Sequence, residues 1–370
     1  MATKKILVVI DVQNCFLPGG NLATGGDDPE NFTNAINDLI LSNKYADVYL
    51  SQDMHHPNNI SMANTQNIGK LESEGKIITI PGGLKLHTSM YNLSKMEGNR
   101  RWKKDDELVA QVLWPRHCIV PPNDPFYPGM PSNPSNSVKN MRVTKRTPVI
   151  NTVNGMPGSD LAGVLNTYKN GKPENVSSTI YHVYKGFSPD RDSYSAIADA
   201  YGNFDPFIAK INGTALENMN TKFATKLLEE DDVSDIYICG IARDFCVFWT
   251  AMDLLDLVVF GQNKELVNKP TVHYIYDLTR EVVPNGMPPE KLVDEATKFL
   301  STVGVTADKV SRYFVVEDSN GKNLVPYTTM TGGRRTKAKH TKRNCKCGKI
   351  HKKCKCGKLH NTHKKTRRCL

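Results

Sequence analysis

The sequence predicts a parallel α/β sheet with helices on both faces. Short apolar, β-branched runs alternate along the chain with stretches whose apolar residues recur at helical spacing, the pattern of βα units. Several expected strands also end on chemistry-bearing residues: Asp11, Asp53 with His55, Lys185, and the turn 240–246. In open parallel sheets, ligand sites form at the carboxyl ends of the strands. One such residue means little, but four bring chemistry to one rim.

Residues 5–10 are continuously apolar and suit a central strand buried on both faces. Asp11 is the first polar residue after it. A loop with Pro-Gly-Gly punctuation follows, and 29–41 carries Phe32, Ile36, Leu39 and Ile40 at helical spacing. The next strand, 46–50, runs into Ser51-Gln52-Asp53-Met54-His55. Residues 76–80 read as a short strand and 105–113 as a helical turn. Residues 121–178 are rich in Pro, Asn, Gly and Ser; they and 64–110 are expected to be long insertions. Strands are expected at 179–184, 235–239, 271–276 and 313–316. Helices are expected at 220–229, 245–257 and 290–303, the last with Leu292, Val293, Ala296, Phe299 and Leu300 on one stripe.

The charge divides the chain. Of 48 Lys and Arg, 16 lie in 331–370, which has no Asp or Glu; residues 1–330 keep 32 basic against 38 acidic residues. We therefore expect a mildly acidic domain, 1–330, and a basic tail, 331–370. The tail has too few apolar residues to bury a core and is expected to be disordered unless bound. It repeats a Cys-x-Cys-x-x-x-His unit: Cys345, Cys347 and His351, then Cys354, Cys356 and His360. These soft donors could hold Zn²⁺, and the charge favours nucleic acid or another polyanion over a membrane. No apolar run approaches the ~20 residues that span a bilayer. The start lacks a signal-peptide cleavage pattern, and the body cysteines, Cys15, Cys118, Cys239 and Cys246, show no disulfide-like spacing. These features suggest a reducing, cytoplasmic location, not secretion, with a nuclear location left open by the tail. Oligomeric state is not legible.

Cys246 falls at the first turn of the helix after Gly240-Ile241-Ala242-Arg243-Asp244-Phe245. A helix N-terminus lowers a thiol's pKa and supplies N–H groups to an oxyanion. The bland alternative is a small buried apolar side chain. Asp11 could take the thiol proton, and Lys185 could balance the charge. Asp53 and His55, two apart, project from one face of a strand and could share a divalent metal with a third ligand, for which His117 is the candidate. An ordinary surface pair is the alternative there.

These residues carry a resemblance. The stretches 11–22, Gln52-Asp53-Met54-His55, Trp114-Pro115-Arg116-His117-Cys118, Lys185-Gly186 with Tyr194-Ser195, and 240–247 resemble, in order, the nicotinamidase branch of the isochorismatase-like cysteine hydrolases. The resemblance implies a six-stranded, mainly parallel sheet in a three-layer α/β/α sandwich. It implies hydrolysis of nicotinamide to nicotinate and ammonia through a Cys thioester. Asp11, Lys185 and Cys246 match the catalytic triad, and Asp53, His55 and His117 the metal ligands. Phe16, Trp114 and Tyr194 match positions that wall the ring pocket. Backbone N–H groups of Ala242 and Cys246 match the oxyanion hole, and the Ile241–Ala242 bond matches a cis peptide. The implied cofactor is a divalent metal, Zn²⁺ before Fe²⁺ or Mn²⁺, with no organic cofactor; the implied partner is a small amide. Asn59 stands where the family often has a further histidine. The stretch Ile119-Val120-Pro121-Pro122-Asn123-Asp124 replaces a glycine-rich loop, so the exact amide is less determined than the triad. The rival readings are another amide or ester hydrolase of the superfamily, and an inactive body carrying a nucleic-acid-binding tail.

Overall fold

The structure is a computed structural model, and it describes residues 3–26, 28–55, 59, 61–62, 72–75, 77–79, 85–92, 108–120, 152–153, 156–169, 171–187, 192–200, 202, 206–212, 215–217, 222–230, 232–260 and 269–326. The tail with Cys345, Cys347, His351, Cys354, Cys356 and His360 lies outside these residues, as do 121–150.

Strand β1 (Lys4–Ile10) is central. Residues Ile6 to Ile10 are each at most 1% exposed, as a strand covered on both faces requires. Strands β2 (Asp47–Asp53), β8 (Thr179–Lys185), β11 (Val233–Ile241), β12 (Thr271–Arg280) and β13 (Phe314–Glu317) join it in the order β8-β2-β1-β11-β12-β13, all parallel. This is the six-stranded parallel sheet of the expected sandwich. It has an extension: β9 (Phe207–Asn212) and β10 (Ala215–Glu217) add two antiparallel strands beside β8. The sequence reading overlooked this pair, although Asn212-Gly213 is a hairpin signal.

Helix α1 (Pro29–Leu41) begins on a capped turn, with Asp28 Oδ1 accepting from Asn31 N–H at 3.0 Å and Pro29 at the start. Its Ile36 and Ile40 pack with Leu7 and Val9 on one sheet face. Helices α2 (Phe223–Glu229), α3 (Cys246–Phe260) and α4 (Pro289–Thr302) cover the other face, where Phe223, Val247 and Leu292 meet Ile6, Val8 and Ile10. Each such fully buried apolar side chain stabilises the fold by about 1.5–3 kcal/mol.

One expectation about the insertions is corrected. Residues Leu108–Val112 form a strand (β5), not a helical turn; it pairs antiparallel with β4 (Lys85–Asn92), which pairs with β3 (Ile77–Thr79). Non-local partners decide strand formation there. The later part of 121–178 belongs to the body. A short hairpin, β6 (Thr152–Val153) and β7 (Met156–Pro157), leads to a 3₁₀ stretch, Gly163–Lys169, that packs with α1. Leu165 and Tyr168 are fully buried there.

A second correction concerns cysteines. Cys15 and Cys118 form a disulfide with Cα atoms 5.4 Å apart, across 103 residues of sequence. Only the fold brings them together, so spacing carried no sign of it. The pairing removes the cysteine argument for a reducing compartment. Among the described residues, no helix is long and apolar enough to cross a membrane.

Candidate active site

Register places the chemistry. Val9 pairs with Leu50, Asp53 with Lys185, and Ile10 with Gly240, so four parallel strands end at one level. The sheet order reverses between β1 and β11, the place where a crevice opens in such sheets. Two glycines allow the close approach. Gly240 has φ +116°, and a Cβ there would lie 2.1 Å from the Ile10 carbonyl oxygen. Gly186 has φ +70°, and a Cβ there would lie 2.8 Å from His55 Cε1. Asp11 itself adopts φ +48°, an uncommon conformation for a residue with a side chain.

Lys185 Nζ, fully buried, sits 2.8 Å from Asp11 Oδ2 and 2.5 Å from Asp53 Oδ1, donates to the Ser193 carbonyl at 2.8 Å, and lies 3.7 Å from Cys246 Sγ. Donor atoms of Asp11, Asp53 and Cys246 lie within 4.8 Å of one another. Asp11, Lys185 and Cys246 thus meet in one buried cluster. Burial pushes Asp11 up to about 6, against the pull of Lys185. Burial also pushes the Cys246 thiol well above its usual range; Lys185 opposes this, while Asp11 and Asp53 add to it. The expected lowering by the helix end is therefore outweighed. Lys185 is itself held charged by Asp11 and Asp53 despite burial.

The second cluster is Asp53, His55 and His117, all buried, with donor atoms within 4.8 Å of one another. His55 Nδ1 lies 2.9 Å from the Gly186 carbonyl and His117 Nδ1 lies 2.7 Å from the Pro115 carbonyl. Each Nδ1–H donates to its carbonyl, which leaves both Nε2 lone pairs for an ion, the usual support of metal-binding histidines. His55 Nε2 is buried with no hydrogen-bond partner. A polar atom so placed is costly unless something binds it, and one carboxylate with two imidazoles is a common donor set for a divalent metal. The residues fit that ion. The loop bearing His117 is held beside β2: His55 N–H donates to the Cys118 carbonyl at 3.0 Å and Val120 N–H to the His55 carbonyl at 3.1 Å. Asn59 does not join the cluster; its amide donates to the Gly186 carbonyl and its oxygen accepts from Ser61.

Phe16, Trp114 and Tyr194 line the pocket over Cys246, together with Ala242. Trp114 Nε1–H donates to Tyr194 Oη at 3.1 Å, and the Phe16 ring lies 5.3 Å from that of His117. The Ile241–Ala242 peptide is cis. Sequence reasoning missed several supporting residues. Ser51 Oγ–H donates to Asp11 Oδ1 at 2.5 Å; its place two residues before Asp53, on the same strand face, was the available signal. The Gln13 side chain accepts from Asp53 N–H at 2.8 Å and donates to the Asp53 carbonyl at 2.9 Å, locking the end of β2. Phe245, Leu22, Val282 and Asp192 also line the pocket, without a local signal.

No family model matches the chain. Its sequence does align with proteins named as nicotinamidases. A nicotinamidase of Acinetobacter baylyi is 27% identical over 248 residues, covering 67% of this chain and 72% of the relative. The Saccharomyces cerevisiae nicotinamidase is 23% identical over 256 residues, covering 68% and 82%. The chain is similar in sequence to nicotinamidases. The Escherichia coli nicotinamidase aligns at 22% identity over 254 residues, covering 68% and 77%. Among solved structures, the yeast nicotinamidase bound to nicotinaldehyde superposes with a TM-score of 0.47 at 20% identity, covering 85% of this chain and 99% of that one.

Proposed function

We propose that the protein hydrolyses nicotinamide to nicotinate and ammonia, the reaction for which its relatives are named. The observation that carries this is the contact of Asp11, Lys185 and Cys246 beneath the aromatic walls of the pocket. Asp11 takes the proton of Cys246 as the sulfur attacks the carboxamide carbon. Backbone N–H groups of Ala242 and Cys246 receive the oxyanion. Protonated Asp11 passes its proton to the departing nitrogen, which leaves as ammonia, and a thioester remains. Asp11 then accepts a proton from water as its oxygen attacks the thioester carbon; nicotinate leaves, and Asp11 returns the proton to the sulfur. Lys185 keeps the buried carboxylates in charge balance throughout. Phe16, Trp114 and Tyr194 stack on and bracket the ring. Asp53, His55 and His117 would hold a divalent metal, Zn²⁺ by donor type, with Fe²⁺ or Mn²⁺ as alternatives. Bound there, the ion would supply an anchor for the substrate ring, a templating role.

Ammonia release from nicotinamide tests the reading: the wild type releases it and Cys246→Ala does not. Equal release by both overturns it. Asp53→Ala and His55→Ala are expected to raise KM sharply, and unchanged kinetics in both would remove the metal from the reaction.

For the tail we propose nucleic-acid or polyanion binding, supported by its 16 basic and no acidic residues, with Zn²⁺ held by Cys345, Cys347, His351, Cys354, Cys356 and His360. Salt-dependent RNA or DNA binding should vanish when 331–370 is deleted; equal binding by the truncated protein refutes the assignment.

A further inference from the structure

Asp192 is a carboxylate that neither the triad nor the metal set uses. It is 2% exposed and lines the pocket. Its Oδ1 accepts from Ser193 N–H at 2.7 Å and stands 4.0 Å from His55 Nε2, the same nitrogen that lacks a hydrogen-bond partner. It is not one of the residues whose donor atoms converge within 4.8 Å. It therefore faces the metal-binding cluster from just outside it.

The buried charge explains why a second carboxylate would be there. Asp11 and Asp53 carry two negative charges and Lys185 one positive charge, all within contact. A divalent cation on Asp53, His55 and His117 would leave this buried cluster one positive charge in excess. Uncompensated buried charge is strongly unfavourable. Ionised Asp192 brings the formal total to zero.

We infer that Asp192 is a positioning residue of the metal centre, facing His55 from outside the donor set and completing the charge balance of the loaded site. This rests on the metal-bearing reading above. Supporting groups of this kind typically change metal affinity by roughly 10–100-fold when removed.

The test is Zn²⁺ affinity of the chelator-stripped full-length protein, measured by competition with a chromophoric chelator. The tail offers further Zn²⁺ donors, so each variant is paired with an Asp53→Ala version that reports tail binding alone. Asp192→Asn keeps an acceptor for Ser193 N–H and removes the charge; it should weaken the Asp53-dependent site by roughly 10–100-fold. Asp192→Glu should restore most of the affinity. If Asp192→Asn fails to fold, Asp192→Ser removes the same charge with a smaller side chain. Wild-type affinity in either folded neutral variant overturns the inference, even where the wild type binds Zn²⁺ and the metal reading stands. Absence of Asp53-dependent Zn²⁺ binding in the wild type overturns the metal reading and this inference together.

Discussion

At Cys246 two effects oppose each other. A helix N-terminus favours thiolate by about 0.3–1 kcal/mol, up to ~2 in favourable geometry, which is about one pKa unit or less at the usual end. Full burial can cost several units, and here it pushes the thiol up, with Asp11 and Asp53 adding to it. Burial wins, so the resting sulfur is protonated. Passing its proton to Asp11 leaves the net charge of the buried cluster unchanged, which makes Asp11 the natural acceptor. Burial places Asp11 at about 6, with Lys185 restraining the rise. Below that pH Asp11 is protonated and cannot accept. We expect kcat/KM to rise with pH through about 6, measured by ammonia release. Asp11→Asn should lower kcat by roughly 10²–10⁴-fold and abolish that limb. A profile flat through this range would mean that another group takes the proton.

At the scale of elements, the end of β8 is held against the end of β2 by the absence of a side chain at Gly186. A Cβ there would meet His55 Cε1 at 2.8 Å and Asp53 Oδ1 at 3.0 Å, at φ +70°. Gly186→Ala should therefore displace Asp53 and His55, two of the proposed metal ligands, at once; we expect weaker metal binding and raised KM, checked by metal titration and kinetics. Strands β11, β12 and β13 are bridged by His273, which lies 3.0 Å from Asp235 Oδ1 and 3.2 Å from Glu317 Oε1. Burial disfavours the charge on His273, but these two carboxylates outweigh it and raise its pKa from 6.5 to about 9. A raised pKa means the stabilisation is fully present below the unfolded value and is lost as pH climbs through the folded one. Tm should thus fall between about pH 6.5 and 9, and His273→Gln should flatten that slope; an identical slope in the variant would contradict it.

At the scale of the whole molecule, Cys15–Cys118 ties the turn carrying Phe16 to the loop carrying His117, across 103 residues. Cross-links over long separations typically stabilise by about 2–4 kcal/mol. Replacing both cysteines by serine should lower the urea midpoint accordingly, whereas an unchanged midpoint would show that packing alone holds the loop. Deleting 331–370 should leave nicotinamide hydrolysis unchanged, because every group assigned to the reaction lies in 1–330. A truncated protein that loses hydrolysis would contradict that division.

The sequence by itself determined the alternation of strands and helices, because apolar periodicity is a local property: 5–10 reads as a buried strand and 29–41 as an amphipathic helix without any partner. It also displayed Asp11, Asp53, His55, Lys185 and Cys246, because strand ends are local too, and the Trp-Pro-Arg-His stretch offered His117. Only the tertiary structure decided which of these meet. Register brings Asp53 opposite Lys185 and Ile10 opposite Gly240, and no segment encodes that pairing alone. The disulfide, the antiparallel strands at the sheet edge, the incorporation of Gly163–Lys169 into the core and the approach of Asp192 to His55 all depend on contacts between residues distant in sequence. The sign of the Cys246 shift depends on them as well, since burial is a property of the packed molecule and not of the helix that begins at the thiol.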